Sequence, residues 1–219
     1  MKTKGIIALG LIGAISIGGG VAYAQVSKNT VPKNVVMTET SVAQVSNKEA
    51  ESYKKIALDA FEKYFNEDVN SKGLYERLNK LYEQGGQKSY IISWCDQKGE
   101  TINGNTAIQY TAVIDTKTNK ILQLEYHPGV PKNKDYQEFS YDTAKDLADK
   151  FVKENNLFNG VNYEFLDKQS KEVNSSNDKA SWDYYFYYKY NGKTCLVTVN
   201  KDLKKVSQFL FVDEISSLG

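Results

Sequence analysis

His127 is the only histidine in a chain of 219 residues, and Glu125 stands two positions before it. In an extended strand the two side chains would leave the same face. An imidazole beside a carboxylate can begin an acid–base or metal site. Either chemistry needs further convergent partners, and this pair alone makes no site. Asp142 and Asp146 sit at i and i+4 on an expected helix, where a solvated face accounts for them. Asn66-Glu67-Asp68 holds two acids without the spaced ligands of a calcium loop. No phosphate loop, nucleophile elbow or zinc-type spacing occurs. The reading is a protein with no catalytic residue, no metal ligand and no cofactor.

Two further groups carry softer chemistry. Cys95 and Cys195 could be joined in an oxidising compartment, or remain separate thiols that pack as small apolar groups. A bond needs their Cα atoms within about 7 Å. The run Trp182-Asp-Tyr-Tyr-Phe-Tyr-Tyr-Lys-Tyr190 splits, as a strand, into two faces. Trp182, Tyr184, Phe186, Tyr188 and Tyr190 make an apolar face suited to a helix, while Asp183, Tyr185, Tyr187 and Lys189 point to the open side. Tyrosine fits a pleated surface and is also common at interfaces. The candidate binding face is therefore Tyr185 and Tyr187, with Gln109, Thr111, Gln123 and Gln208.

A sheet must position these residues. Ala107 to Tyr126 reads as two apolar-alternating runs joined by Asp115-Thr-Lys-Thr-Asn-Lys120, the period-two pattern of half-buried strands. Asp115 can accept from amides ahead of it, and Asn119 tolerates the left-handed conformation of a bulged turn. The design returns between Leu196 and Phe209. An offset of 85 residues, the chain distance from Asp115 to Asn200, carries Lys120, Gln123 and Leu124 onto Lys205, Gln208 and Phe209. We read a duplicated unit.

Each copy reads as a helix followed by up to four antiparallel strands. Ser46 and Glu49 have the spacing of a capping box. Tyr53, Ile56, Ala57, Ala60, Phe61, Tyr64 and Phe65 then recur at helical spacing. Leu74 to Gln84 mixes helical and alternating features, and the repeat favours a strand, ended by Gly85-Gly86. Ser89 to Trp94 is a strand. The second helix starts at Ser140, with the stripe Ala144, Leu147, Ala148, Phe151 and Val152. Strands are expected over 163–169, 180–190, 192–200 and 206–212, with Asn191-Gly192 as a two-residue turn.

The ends differ from this body. Met1-Lys-Thr-Lys4, an apolar or small stretch from Gly5 to Val21, and Ala22-Tyr-Ala24 have the order of a secretory signal. An uncleaved anchor is the other reading, and only that would tie the chain to a membrane. Both place the body outside the cytoplasmic membrane, secreted or in the cell envelope. The resulting organisation is 1–24 signal, 25–45 disordered tether, 46–127 first repeat, 128–139 linker, 140–214 second repeat and 215–219 tail. The linker's prolines are expected to stay out of any ladder. A net charge of +1 with interspersed signs offers no field for nucleic acid. Sixteen Tyr and nine Phe lean toward strands.

The order of helix and strands, with the hairpin Ala112-Val-Ile-Asp-Thr-Lys-Thr-Asn-Lys-Ile121, resembles PepSY-type domains and the related YcdB/YcdC-like repeats of bacterial envelope proteins. Those families carry a hairpin of the form apolar-x-Asp-x-x-Thr-Gly-Lys-apolar. Here Asn119 replaces the Gly, and the second copy, Asn200-Lys-Asp-Leu-Lys-Lys205, lacks both the Asp and the Thr. The resemblance implies an α+β fold, a tandem repeat of a helix and antiparallel strands with the helices on one sheet face, similar to beta-lactamase inhibitor protein. It also implies non-enzymatic roles, restraining peptidases or sensing at the cell envelope, and the reading is an exported module that binds or restrains a protein or peptide, a peptidase among them, through its open sheet face. The other reading is a divergent hydrolase or carbohydrate-active enzyme using tyrosines and carboxylates.

Overall fold

The computed structural model describes residues 42–43, 46–84, 87–98, 107–129, 139–176 and 183–212. They form an α+β fold. Its helices are α1 (Asn47–Phe65), α2 (Tyr141–Glu154) and α3 (Asp167–Ser176). Its strands are β1 (Val42–Ala43), β2 (Tyr75–Gln84), β3 (Gln87–Cys95), β4 (Ile108–Asp115), β5 (Ile121–Pro128), β6 (Tyr163–Phe165), β7 (Asp183–Tyr190), β8 (Lys193–Asn200) and β9 (Lys205–Val212). All pair antiparallel in one open sheet, ordered β1-β2-β3-β4-β5-β9-β8-β7-β6. Eight strands have three residues or more, and β1 has two.

Both long helices begin as their first residues dictate. The Ser46 hydroxyl accepts from the Glu49 amide while the Glu49 carboxylate takes the Ser46 amide, a complete capping box. Ser140 Oγ accepts from the Thr143 amide in the same way. Ala57, Ala60, Phe61 and Phe65 of α1, and Ala144, Ala148, Phe151 and Val152 of α2, are buried against one sheet face. Phe61 lies edge-on to Trp94 and Tyr110. Phe65, Phe151 and Phe209 meet where α1, α2 and β9 converge, their rings 6.1 to 6.3 Å apart. Burying an aromatic side chain of this size contributes roughly 1.5–3 kcal/mol, so this cluster binds the two halves into one core.

The β4–β5 and β8–β9 hairpins agree in detail. Asp115 Oδ1 accepts from the Lys117 and Thr118 amides, and Asn200 Oδ1 from those of Asp202 and Leu203. Asn119 and Lys204 are both left-handed. The ladder shifts between Val113 and Ile114 in one and between Thr198 and Val199 in the other, again at the same offset. Between the hairpins Leu124 opposes Phe209, with Gln123 opposite Leu210 and Glu125 opposite Gln208. Asn191 and Gly192 both have positive φ, as a two-residue hairpin turn requires.

Four expectations change. The strand expected over 163–169 stops at Phe165, and α3 follows. Its residues are polar and carry i,i+4 pairs, Lys171 with Asp167 and Lys168 with Glu172, which suit an exposed helix. The helices therefore do not all lie on one face: α3 runs along the outer edge of β7. Ser170 Oγ accepts from the Tyr187 amide, and the Asn174 side chain pairs with both the amide and the carbonyl of Tyr185. Two side chains thus replace a neighbouring strand and cover an otherwise unpaired edge. Within the expected disordered tether, Val42 and Ala43 pair with Tyr82 and Leu81. Pro128 is not in a linker but ends β5 opposite Ile108, a terminal position where the missing amide is tolerated.

The expected signal, residues 25–41 of the tether, Gly85-Gly86, the linker from 130 to 138, Trp182 and the tail lie outside the described residues. Among the described residues no helix is long and apolar enough to cross a membrane.

Candidate functional site

The sheet face turned away from α1 and α2 carries the residues expected to bind. Side chains alternate along each strand, and the register then aligns one row across six strands. Ser93 opposes Thr111, Thr111 opposes Glu125, Glu125 opposes Gln208, Gln208 opposes Thr198, and Thr198 opposes Tyr185. Gln123 and Tyr187 lie in the adjacent row, joined through Leu210 and Leu196. Gln109, opposite His127, lies beyond Thr111. All six expected residues, Tyr185, Tyr187, Gln109, Thr111, Gln123 and Gln208, thus share one face.

Their exposure differs from expectation. Tyr187 is 4% exposed, Gln109 8% and Gln123 4%. Tyr185, Thr111 and Gln208 are half-buried. Tyr187 is not an exposed contact: its amide bonds to Ser170 of α3 and its carbonyl to the Leu166 amide just before that helix. The reading of two neighbouring exposed tyrosines is corrected accordingly.

The polar groups of the row bond mainly to one another. Gln123 Nε2 donates to Glu125 Oε2 at 3.0 Å, and Thr198 Oγ1 donates to Gln208 Oε1 at 3.0 Å. Asn200 Nδ2 donates to Asp183 Oδ1 at 2.9 Å. Nε2 of Gln109 is buried and has no hydrogen-bond partner among the described residues. Such a group costs roughly 1–3 kcal/mol until something accepts its proton.

Two carboxyls on this face are perturbed. Burial raises Glu125 to about 7, against the hydrogen bond from Gln123, and the charge of Asp183 adds to the rise. Burial likewise raises Asp183 to about 6, opposed by the Asn200 bond and the charge of Lys201. The sequence singled out Glu125 only beside His127, as a pair that makes no site, and placed Asp183 on the open side without a role. His127 Nδ1 lies 3.1 Å from the Ala107 carbonyl oxygen, and burial lowers its pKa. Among the described residues no three His, Cys, Asp or Glu side chains gather as ligands of one metal.

The two cysteines are separate. Cys95 is opposite Gln109, on the row's face, while Cys195 is opposite Tyr188, on the helix side. Opposite faces and four strand spacings of about 4.8 Å keep the buried thiols apart.

A cavity of about 590 Å³ lies at the other side of the hairpin bases. It is bounded by the β4–β5 turn with Lys120, the β7–β8 turn with Lys193, and the loop after α2 with Leu157 and Phe158. Tyr190 and Phe211 complete its aromatic wall. Its volume falls within the range of small-ligand sites, about 300–1,000 Å³. The sequence marked Asp115, Asn119, Lys120 and Asn191 only as turn residues and Tyr64 and Tyr190 only as parts of apolar faces, because the cavity's walls come from three distant turns.

No family model matches the chain, and neither a curated protein nor a solved structure matches it.

Proposed function

We propose that the chain is a non-catalytic binding module, exported to the cell envelope by its N-terminal segment, that holds an extended polypeptide against the polar sheet face. The observation that carries this reading is the row Ser93, Thr111, Glu125, Gln208, Thr198 and Tyr185 across six strands. An extended peptide offers carbonyls and amides at strand spacing, and the Gln109 amide, without a partner among the described residues, is a donor that a peptide carbonyl would satisfy. A PepSY-like tandem repeat, with a peptidase among its candidate partners, fits the paired hairpins. Their common turns, bulges and left-handed residues, and the opposition of Leu124 to Phe209, support a duplicated unit similar to that of beta-lactamase inhibitor protein.

A photo-crosslinking residue at Gln208 tests the binding role. Discrete adducts with an envelope polypeptide are expected, reduced by Gln109→Leu. A face that yields no adduct, while the same probe at exposed Lys80 does, would reject the proposal. Mass spectrometry of the exported species should find a mature start near Gln25.

A second reading, hydrolysis, draws on Glu125 and Asp183. A carboxyl raised to about 7 can donate a proton near neutral pH. Turnover of peptidoglycan or polysaccharide that Glu125→Gln abolishes would select it over the binding role.

A further inference from the structure

The offset that relates the two hairpins also relates two places at their bases, a correspondence that rests on the duplicated-unit reading. At the second hairpin, Lys205 Nζ donates to Glu67 Oε1 at 2.7 Å and lies 5.2 Å from the centre of the Tyr126 ring. The Lys72 ammonium and the Tyr110 hydroxyl close on Glu67 Oε2 at 2.9 and 3.0 Å. Val69, two positions beyond Glu67, is buried.

The same offset takes Lys205 back to Lys120 and Tyr126 forward to Phe211. Both line the 590 Å³ cavity. There the loop after α2 contributes buried Leu157 and Phe158, where the loop after α1 contributes Glu67 and Val69. Lys120 is exposed and makes no ion pair among the described residues. Asp115 also lines the cavity, but its Oδ1 is bonded to the Lys117 and Thr118 amides of its own turn. Lys193 adds a second cation to the rim. At one hairpin, then, Glu67 pairs with the lysine, and at the other no carboxylate among the described residues pairs with Lys120.

We propose that this cavity takes an acidic side chain of a partner polypeptide, carried close to an apolar residue as Glu67 is to Val69. The carboxylate would meet Lys120 in charge-assisted contact, and the apolar neighbour would lie against Phe158, Tyr190 and Phe211. Positive rim and aromatic wall together select this occupant over a neutral peptide.

The test is an NMR titration of the ¹⁵N-labelled protein with the blocked peptide acetyl-Glu-Asp-Val-amide. Saturable shifts are expected at the amides of Asn119, Lys120, Asn191 and Phe211. Acetyl-Gln-Asn-Val-amide should bind roughly ten-fold more weakly, and so should the acidic peptide to Lys120→Gln, because each removes the charge-assisted contact. Lys120 is exposed, so that variant should melt like the parent protein. No saturable shift, equal response to the neutral peptide, or an unchanged affinity in Lys120→Gln would overturn the proposal. Shifts confined to Thr111 and Gln208 would also overturn it, while favouring the sheet-face role. A Glu67→Ala variant separates the cavity from the repeat. If the peptide then shifts Lys205 and Tyr126 but leaves Lys120 silent, the repeat stands and the cavity proposal falls; if neither lysine responds, both fall.

Discussion

Glu67 accepts a hydrogen bond from Lys205 at 2.7 Å across 138 positions of sequence. It joins the loop after α1, in the first half, to the last strand of the second. Burial pushes the Glu67 carboxyl up, but the bonds from Lys205 and Lys72 outweigh it and hold the group below its ordinary value. A carboxyl lowered on folding adds stability that is present above its unfolded pKa and lost as pH falls through the folded one. Glu67→Gln should lower stability at neutral pH by roughly 1–3 kcal/mol, by leaving partners unsatisfied. The gap from the parent protein should close as pH falls below the ordinary carboxylate range. Urea melts at neutral and acid pH check it, and a constant gap would contradict the role of charge.

Glu125 has the opposite sign. Its carboxyl is raised to about 7 by burial, so the folded state holds a proton that the unfolded state has released. Stability is then full below about pH 4.5 and declines as pH rises to about 7. Glu125→Gln should remove this decline and exceed the parent protein at pH 8 by roughly 1–3 kcal/mol. Thermal melts of both proteins between about pH 4 and pH 8 provide the comparison, and parallel curves would refute the burial argument.

Replacing Tyr187 and Tyr185 together with Ser should destabilise the fold rather than merely weaken a contact. Tyr187 is 4% exposed and Tyr185 half-buried. A large-to-small change at such sites costs roughly 3–5 kcal/mol. Circular-dichroism melting should show it, and Tyr185→Ser alone should account for the smaller part.

The edge cover makes a separate expectation. Ser170→Ala and Asn174→Ala remove the side-chain partners of the Tyr187 and Tyr185 amides. Each should cost roughly 1–3 kcal/mol, as a donor left without its partner does. Hydrogen exchange at those two amides should quicken while exchange at Val197 stays slow. The exposed edge should also raise the protein's tendency to associate.

The thiols should prove independent. Burial raises both Cys95 and Cys195, so a thiol reagent should react slowly with the folded protein and with two equivalents after unfolding without reductant. A single band of oxidised, thiol-free protein would contradict their placement on opposite faces.

Local chemistry was legible in the sequence wherever the cause was local. Ser46 with Glu49 determines a helix start through two amides within one turn, and Asp115 determines a tight hairpin through the two amides just ahead of it. Strand alternation placed Tyr185, Thr111, Gln123 and Gln208 on one face, because side-chain direction has a period of two. Tertiary structure decided the rest. Alternation says nothing about which strand lies beside β5, so the opposition of Glu125 to Gln208, and with it the continuous polar row, needed β9 to dock there. The pairs Asp167–Lys171 and Lys168–Glu172 already had helical spacing, yet the alternating run before them suggested a longer strand. That helix lies on the edge of β7, and so Tyr187 is buried although tyrosine suits either water or core. Exposure is a property of neighbours, and the neighbours of Tyr187 include Ser170, 17 positions away, which only the folded chain brings to it.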